Sequence, residues 1–300
     1  MRRSTAVLLL PLLAVGLLGA CGSSPKKDAL PSVQGAYGSK PTFTFPTKTA
    51  PKTLMTKVLR QGTGPVVAKA DLLVADYLGQ IWGGKVFDNS YDRKTPAGFA
   101  IGVGKVIPGW DEVLVGVRAG SRILMSLPPA KGYGTAGSTQ AGITGTDTLV
   151  FVVDVVSSYG PTSAGDPKAA VQKPSTPGLT VTGALGAVPT LKVKKGTKAP
   201  AKPAVSVLAK GTGAPVGAGL LVVQYTATGY DGTVAGSTWT NGSPAGVTVS
   251  ATGITNAFDV VRGVPLGSRV LMRLPAASGQ PGVAVVVDLV AQPKTAAAAG

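Results

Sequence analysis

Residues 120–125 read GSRILM, and residues 267–272 read GSRVLM. Each stretch places β-branched and aliphatic residues after Gly-Ser-Arg, which is typical of a strand that begins at a turn. The two stretches start 147 residues apart in a chain of 300 residues. A repeat of this length predicts two copies of one domain, because the repeats of solenoid proteins are much shorter.

Further segments repeat at nearly the same separation. The matched pairs are 33–38 with 181–186, 57–64 with 206–213, and 74–77 with 222–225. The alignment predicts one domain at 32–159 and a second at 180–293. Between them, residues 160–179 combine Pro with Ser, Thr, Ala and Lys, which predicts a linker. Residues 294–300 are left as a tail.

Short segments rich in β-branched or aliphatic residues indicate the strands of the first copy. Bounded by Gly, Pro or Asp, they predict strands at 53–59, 72–78, 121–127 and 149–156. One short helix is predicted at 108–115, since Pro108 stands near its start, acidic residues fill its first turn and Gly116 follows its end. An antiparallel sheet wrapped around one short helix, expected in each copy, is an α+β fold.

The first residues of the chain read as an export signal. Two Arg precede an apolar run over 6–18 that is too short to be a comfortable membrane span. The run ends in LGAC at 18–21, which resembles the bacterial lipoprotein signal. We therefore expect a signal peptide at 1–20, a lipid on Cys21, a tether at 21–31, and a location at the outer face of the cell membrane. The alternative is an ordinary cleaved signal that happens to precede a Cys. Arg2 and Arg3 also suggest a twin-Arg export signal, but the pattern of residues around them is weak.

The composition excludes several classes of site. The chain contains no His, which excludes Ser-His-Asp and Cys-His catalysis and the common zinc sites, so no metal or cofactor is expected. Cys21 is the single Cys, and no intramolecular disulfide is possible. The net charge is +16, but the basic residues are scattered. We expect no nucleic-acid partner, and a surface near anionic lipid headgroups is the plainer interpretation.

The first copy also carries an ordered set of motifs. In chain order they are DYLG at 76–79, GKVFDNS at 84–90, FAIGVGKVIPG at 99–109, WDE at 110–112, GYG at 132–134 and LVF at 149–151. Together they strongly resemble the FKBP-type peptidyl-prolyl isomerases over about 52–156. The resemblance implies two FKBP-like domains, proline-containing polypeptides as substrates, and the macrolide inhibitors of that family as possible ligands.

The proline pocket of that family transfers to this sequence residue by residue. It implies Trp110 as the floor beneath the proline ring. The implied walls are Tyr77, Phe87, Val106, Ile107 and Phe151. Phe99 is a further implied substrate-binding residue.

Polar groups of the pocket are implied in the same way. The hydroxyl of Tyr133 and the backbone N–H of Ile107 would bind the peptide, Asp88 would lie at the pocket edge, and Ile143 would lie on a loop above it. Taken singly, the three Phe residues are better explained as core aromatics, Trp110 as a helix-packing residue and Asp88 as a turn residue. The ordered set as a whole favours the pocket. The family usually has an aromatic residue where this chain has Ala97, so one wall is expected to be open.

The second copy lacks most of this set. The alignment pairs pocket residues of the first copy with Tyr225, Ala235, Gly236, Val247, Phe258, Gln280 and Val285 of the second. Strand residues are kept, so the second copy is interpreted as a scaffold or an interaction module.

Two functions remain open from the sequence. The first is a peptidyl-prolyl cis-trans isomerase that assists folding of exported proteins at the outer face of the cytoplasmic membrane. The alternative is a non-catalytic chaperone or binding lipoprotein that uses the same fold, which Ala97 favours.

Overall fold

The computed structural model of the chain describes residues 29–277 and 279–299. The predicted signal peptide, the lipidation site Cys21 and most of the predicted tether lie outside the described residues. Within the described ranges, no helix is both long and apolar enough to cross a bilayer.

The strands fall into two similar series along the chain. The first series is β1 (Ser32–Gln34), β2 (Thr42–Thr44), β3 (Met55–Arg60), β4 (Leu72–Ile81), β5 (Val86–Asn89), β6 (Ala97–Ala100), β7 (Arg122–Leu127) and β8 (Leu149–Tyr159). The second is β9 (Ala170–Val171), β10 (Leu179–Thr182), β11 (Thr190–Val193), β12 (Ala204–Lys210), β13 (Gly219–Gly229), β14 (Val234–Ser237), β15 (Ala245–Val249), β16 (Arg269–Leu274) and β17 (Val283–Ala291).

Helices are short. The α-helices are α1 (Pro108–Leu114), α2 (Thr238–Asn241) and α3 (Ala296–Ala299). Short 3₁₀-helices occur at Pro129–Lys131, Gly134–Ala136 and Ala257–Val261. The expectation of antiparallel sheets with few helices is therefore confirmed.

The first sheet has the strand order β3-β7-β8-β4-β5, with β6 pairing β4, and its pairs are antiparallel. Successive residues of β4 point to opposite faces. Leu73 and Tyr77 therefore face the first core, where α1 contributes Trp110 and Leu114. Leu72 lies outside that core, on the other side of the sheet.

The second sheet repeats this arrangement. Its order is β14-β13-β17-β16-β12-β9, with β15 pairing β13. Apart from β9, each strand has the neighbours of its counterpart in the first sheet. The 3₁₀ turn Ala257–Val261 takes the place of α1, and Phe258 and Val261 pack into the second core.

A buried ion pair recurs on the outer face of each sheet. In the first, Arg122 Nε donates to Asp154 Oδ1 at 2.6 Å, and Arg122 also donates to the carbonyls of Gly35 and Ser39. In the second, Arg269 Nε donates to Asp288 Oδ1 at 2.6 Å. Each Arg thereby fastens the turn of a hairpin, β1-β2 or β10-β11, to its own sheet.

The predicted elements and the observed ones differ at their ends. The observed counterparts of the predicted strands and helix are Met55–Arg60, Leu72–Ile81, Arg122–Leu127, Leu149–Tyr159 and Pro108–Leu114. The sequence patterns predict no strand at β1, β2, β5 or β6. The sequence of β6 is AGFA, which lacks β-branched residues, and its strand conformation depends on pairing with β4.

The segment predicted as a linker packs on the second sheet over part of its length. The backbone N–H of Asp166 donates to the carbonyl of Gly267 at 2.8 Å, and β9 pairs with β12. Ala169 is buried. Composition alone suggested a free connection, but these hydrogen bonds order its central residues.

An apolar cluster joins the two sheets. Its buried members are Leu72, Val74, Leu220 and Val222, and we call it the interface cluster. Val156, Tyr159, Val290 and Ala291 pack around it.

Candidate active site

A cavity of about 530 Å³ opens between the first sheet and α1. The residues that line it are Tyr77, Phe87, Asp88, Phe99, Gly104, Lys105, Val106, Ile107, Pro108, Trp110, Gly132, Tyr133 and Phe151. All predicted pocket residues except Ile143 are among them.

Trp110 lies at the centre of the aromatic lining. Its ring centroid is 4.8 Å from that of Phe99, 5.4 Å from that of Phe151 and 5.6 Å from that of Tyr77, each in an edge-to-face arrangement. Its indole N–H has no hydrogen-bond partner among the described residues. Edge-to-face contacts of this kind fix ring orientation, so Trp110 forms a rigid apolar floor.

Gly79 makes room for two of the rings. The rings of Phe87 and Phe151 pack edge to face at 5.6 Å, directly over the Gly79 backbone in β4. A Cβ atom at Gly79 would lie 2.6 Å from the Phe87 ring and 2.7 Å from the Phe151 ring. Any larger residue would displace this wall of the cavity.

A three-residue network forms the polar edge of the cavity. The hydroxyl of Tyr77 donates to Asp88, and Arg93 donates to Asp88 Oδ1 at 2.6 Å and to the Tyr77 hydroxyl at 3.0 Å. Burial, followed by the hydrogen bond to Asp88, raises the pKa of Tyr77 to about 12. Tyr77 is therefore a neutral hydrogen-bonded phenol at physiological pH.

The loop before α1 is held by a carboxylate of the helix. Asp111 Oδ1 accepts from the backbone N–H of Gly102 at 2.6 Å, and Oδ2 accepts from that of Gly104 at 2.7 Å. Both glycines have positive φ, which lets the loop turn back over the helix. This turn brings Ile107 to the cavity, and its backbone N–H donates to no described residue.

Tyr133 and Lys105 lie at the rim. Tyr133 is 41% exposed, and burial together with the nearby charge of Asp88 raises the pKa of its phenol. Its hydroxyl has no hydrogen-bond partner among the described residues and is available to a ligand. Lys105 makes no ion pair within the described chain, whereas Asp88 is paired with Arg93, so the rim carries an unneutralised positive charge.

Comparison with known proteins agrees with this geometry. FKBP-type peptidyl-prolyl cis-trans isomerase is the family that matches residues 64–156. A Streptomyces anulatus protein named FK506-binding protein is 35% identical over 119 residues, which cover 39% of this chain and 96% of that protein. The chain belongs to the FKBP-type peptidyl-prolyl isomerases.

Other FKBP relatives match the same part of the chain. The isomerase FkpA of Escherichia coli K12 is 38% identical over 109 residues, which are 36% of this chain and only 39% of FkpA. The match to the crystal structure of E. coli FkpA covers 35% of this chain and 47% of the FkpA chain, with 39% sequence identity and a TM-score of 0.33. The crystal structure of AtFKBP13 matches 37% of this chain and 98% of its own chain, with 34% sequence identity and a TM-score of 0.33.

Ile143 departs from the arrangement that the FKBP resemblance implied. It is 5% exposed and packs in the first core, and it does not line the cavity. Paired backbone hydrogen bonds with Ser138, both 2.9 Å, hold the loop in this position. Ala97 lies on β6 beside Phe99 and contributes only a methyl group to the first core.

Sequence reasoning missed several residues of this FKBP site. Arg93 completes the network with Asp88, Gly79 admits the Phe87–Phe151 pair, and Asp111 fixes the loop. The spacing of Gly102 and Gly104 before Asp111 was a usable signal for the role of Asp111. A long side chain such as Arg93, which lies on a turn, gives no periodic signal.

The second sheet lacks an equivalent cavity wall. Ala227 holds the register position of Gly79, since it pairs with Gly236 on β14 and with Val285 on β17. Those partners correspond to Asp88 and Phe151 of the first sheet. Ala227 is buried in the second core, so its methyl group occupies the space that the Phe87 and Phe151 rings fill over Gly79 in the FKBP site.

The lining of the cavity suits the binding of an apolar ring. Within the described ranges, no group of three or more Asp, Glu, Cys or His side chains is placed to hold a metal ion. The cavity offers aromatic surface, a free backbone donor at Ile107 and a free phenol at Tyr133.

Proposed function

We propose that the protein catalyses cis–trans isomerisation of X-Pro bonds in exported polypeptides at the outer face of the cytoplasmic membrane. The observation that supports the reaction is the aromatic cavity over Trp110, which has the size and polarity for a proline ring, with hydrogen-bond donors at its rim. The family relationship supports the same reaction.

The rotation requires no proton transfer. The barrier of about 18–20 kcal/mol comes from amide resonance, which the twisted amide has lost. The twisted amide is less polar than the planar one, so an apolar cavity that excludes water favours it. Trp110 would support the ring while the Ile107 N–H and the Tyr133 hydroxyl hold the peptide. Binding that fits the twisted geometry lowers the barrier further.

We expect kcat/KM to be flat between about pH 6 and 9, because no residue of the cavity has to change its protonation state in that range. The pKa of Tyr77, at about 12, and the raised pKa of Tyr133 both exceed it. The folded chain holds the Tyr77 proton more tightly than the unfolded chain does. The raised pKa of Tyr77 therefore stabilises the folded chain fully below pH 10.0, and this stabilisation is lost as the pH rises towards 12. A rate profile with a step near neutrality would contradict this mechanism.

A protease-coupled isomerisation assay tests the reaction itself. The mature chain with Cys21→Ser is used for this purpose, because it lacks the proposed lipid site and keeps every described residue. Acceleration of cis-to-trans conversion in a proline tetrapeptide supports the isomerase. Peptide binding without acceleration would support the alternative, a binding lipoprotein or chaperone, which the small side chain of Ala97 favours.

Location at the membrane rests on the N-terminal sequence. The lipoprotein-like LGAC at 18–21 supports lipidation of Cys21, and the charge of +16 suits a surface beside anionic headgroups. One acyl chain gives only marginal membrane binding, so the positive charge of the chain would add to the anchoring.

Cys21→Ser is expected to abolish incorporation of labelled palmitate and to move the protein from the membrane fraction to the soluble fraction. The physical reason is loss of the thiol that would carry the lipid. Ser24→Ala is the matched control and should remain with the membrane. Retention of label in Cys21→Ser would place the acyl group elsewhere.

The second copy is proposed to be a degenerate FKBP-like domain without isomerase activity. The shared strand order and the repeated Arg–Asp pair support a common fold for 32–159 and 180–293. The replacement of ring residues by Ala235, Val247 and Val285 supports the loss of catalysis.

A further inference from the structure

We propose that the second copy positions the catalytic cavity of the first: it holds the strands that carry Phe99 and Tyr77 from the side opposite the cavity. The inference rests on the isomerase function proposed above and gives the degenerate copy a role in that function.

The interface cluster resembles the symmetric contact between two subunits of a dimer, although both sides belong to one chain. Leu72 and Val74 of β4 meet Leu220 and Val222 of β13, and none of the four is more than 5% exposed. The repeat makes Leu72 the counterpart of Leu220 and Val74 that of Val222. Each copy therefore presents the same patch to the other, as the subunits of a two-fold dimer do.

A second contact lies beneath the strand that carries Phe99. A Cβ atom on Gly98 would lie 3.5 Å from the Cα of Gly246, and a Cβ atom on Gly246 would lie 3.5 Å from the Cα of Gly98. These two glycines are also counterparts in the repeat. The backbones of β6 and β15 therefore pack against each other at van der Waals distance.

β6 depends on this support. It comprises Ala97–Ala100 and, within the described chain, pairs only with β4. A short edge strand with one partner opens more easily than a central strand. Ala97 adds little packing on the first core, so contact with β15 supplies part of what holds Phe99 in the cavity wall.

The C-terminal segment makes a third link, through hydrogen bonds. The backbone N–H of Ala296 donates to Asp76 Oδ2 at 2.6 Å, and the Ser90 hydroxyl donates to Asp76 Oδ1 at 2.8 Å. The Ser90 oxygen accepts from the backbone N–H of Tyr77 at 3.0 Å. Residues that follow the second sheet thus reach the backbone of a cavity residue.

An equivalent hydrogen bond runs in the opposite direction, from the second copy to the segment that follows the first sheet. Gln224 is the counterpart of Asp76, and its Nε2 donates to the carbonyl of Pro161, which follows the first sheet, at 2.8 Å. The segment after each sheet therefore crosses to the other copy. This crossing ties the copies together more firmly than an apolar patch alone would.

Leu220→Glu in the full chain tests the apolar contact. It introduces an unpaired carboxylate into the interface cluster and leaves the second core, to which Leu220 does not belong, unchanged. Val234→Glu on β14 is the matched control, because Val234 is 77% exposed. Leu220→Met should retain the wild-type behaviour.

We expect Leu220→Glu to lower kcat/KM about fivefold, since small displacements of positioning groups are costly to catalysis. Amide hydrogen exchange over 95–101 should become faster, although no atom of Leu220 lies in the cavity. A chain ended after Pro293 lacks Ala296, and it should show faster exchange over 72–81. Both controls should match the wild type.

Exchange separates this inference from the proposed function. If the wild-type chain lacks isomerase activity, the proposed function fails, while exchange over β6 and β4 still reports the positioning. Unchanged exchange over 95–101 in Leu220→Glu, together with unchanged exchange over 72–81 in the shortened chain, would overturn the inference. Should Leu220→Glu fail to fold, the shortened chain decides alone.

Discussion

Phe87→Ala is expected to lower kcat/KM by about tenfold or more, equivalent to a barrier about 1.4 kcal/mol higher. The Phe87 ring packs edge to face on Phe151 over Gly79, so its removal opens one wall of the cavity to water. Water favours the planar, more polar amide over the twisted one. The protease-coupled assay on the full chain measures the effect.

Val86→Ala is the matched control for this change. Val86 precedes Phe87 on β5, and its side chain is 43% exposed and absent from the cavity lining. Its variant should keep the wild-type rate. Full activity in Phe87→Ala would mean that the Phe87 ring is not needed for catalysis and would contradict its assignment as a wall of the catalytic cavity.

Arg122→Met is expected to destabilise the first half of the chain by about 3–5 kcal/mol, the usual cost of leaving a buried charge unpaired. The side chains of Arg122 and Asp154 are 3% and 0% exposed. Without Arg122, the carboxylate of Asp154 keeps only neutral donors, the Gly38 N–H and the Tyr91 hydroxyl. Urea denaturation followed by tryptophan fluorescence measures the loss.

Two further variants define the origin of that loss. Arg118→Met removes an exposed Arg that donates to the carbonyl of Gly64 at 3.2 Å, and it should change stability little. Arg122→Met combined with Asp154→Leu should recover much of the stability, since an apolar pair avoids the buried charge. If the double variant is no more stable than Arg122→Met, the lost hydrogen bonds to Gly35 and Ser39 dominate instead.

The ring residues of the cavity could be predicted because aromatic residues are only 5% of this chain. Their order along the sequence is informative, and strands bring Tyr77, Phe99 and Phe151 to one face at β4, β6 and β8. The position of Ile143 could not be predicted in the same way. It depends on how a long loop folds on itself, which no local pattern specifies.

The contacts between the copies were also beyond sequence reasoning. Leu72 and Val74 lie in a continuous apolar run, LLVA at 72–75, whose two faces look alike. Such a run indicates burial on both sides but not what covers each side. The ordered segment at Ala170–Val171 was missed for a related reason, since its pairing with β12 depends on tertiary contacts that its composition does not reveal.

Ala227 bears on whether the second copy can regain a cavity. Restoring rings at Ala235 and Val285 would bring them against the Ala227 methyl group, because rings at the equivalent positions of the first sheet leave a Cβ atom only 2.6–2.7 Å of space. The substitutions therefore depend on their order: Ala227→Gly has to precede either ring. The Ala227 methyl group therefore blocks the direct reversal of the ring losses. A single ring substitution in the second copy would clash before it could contribute to a catalytic site.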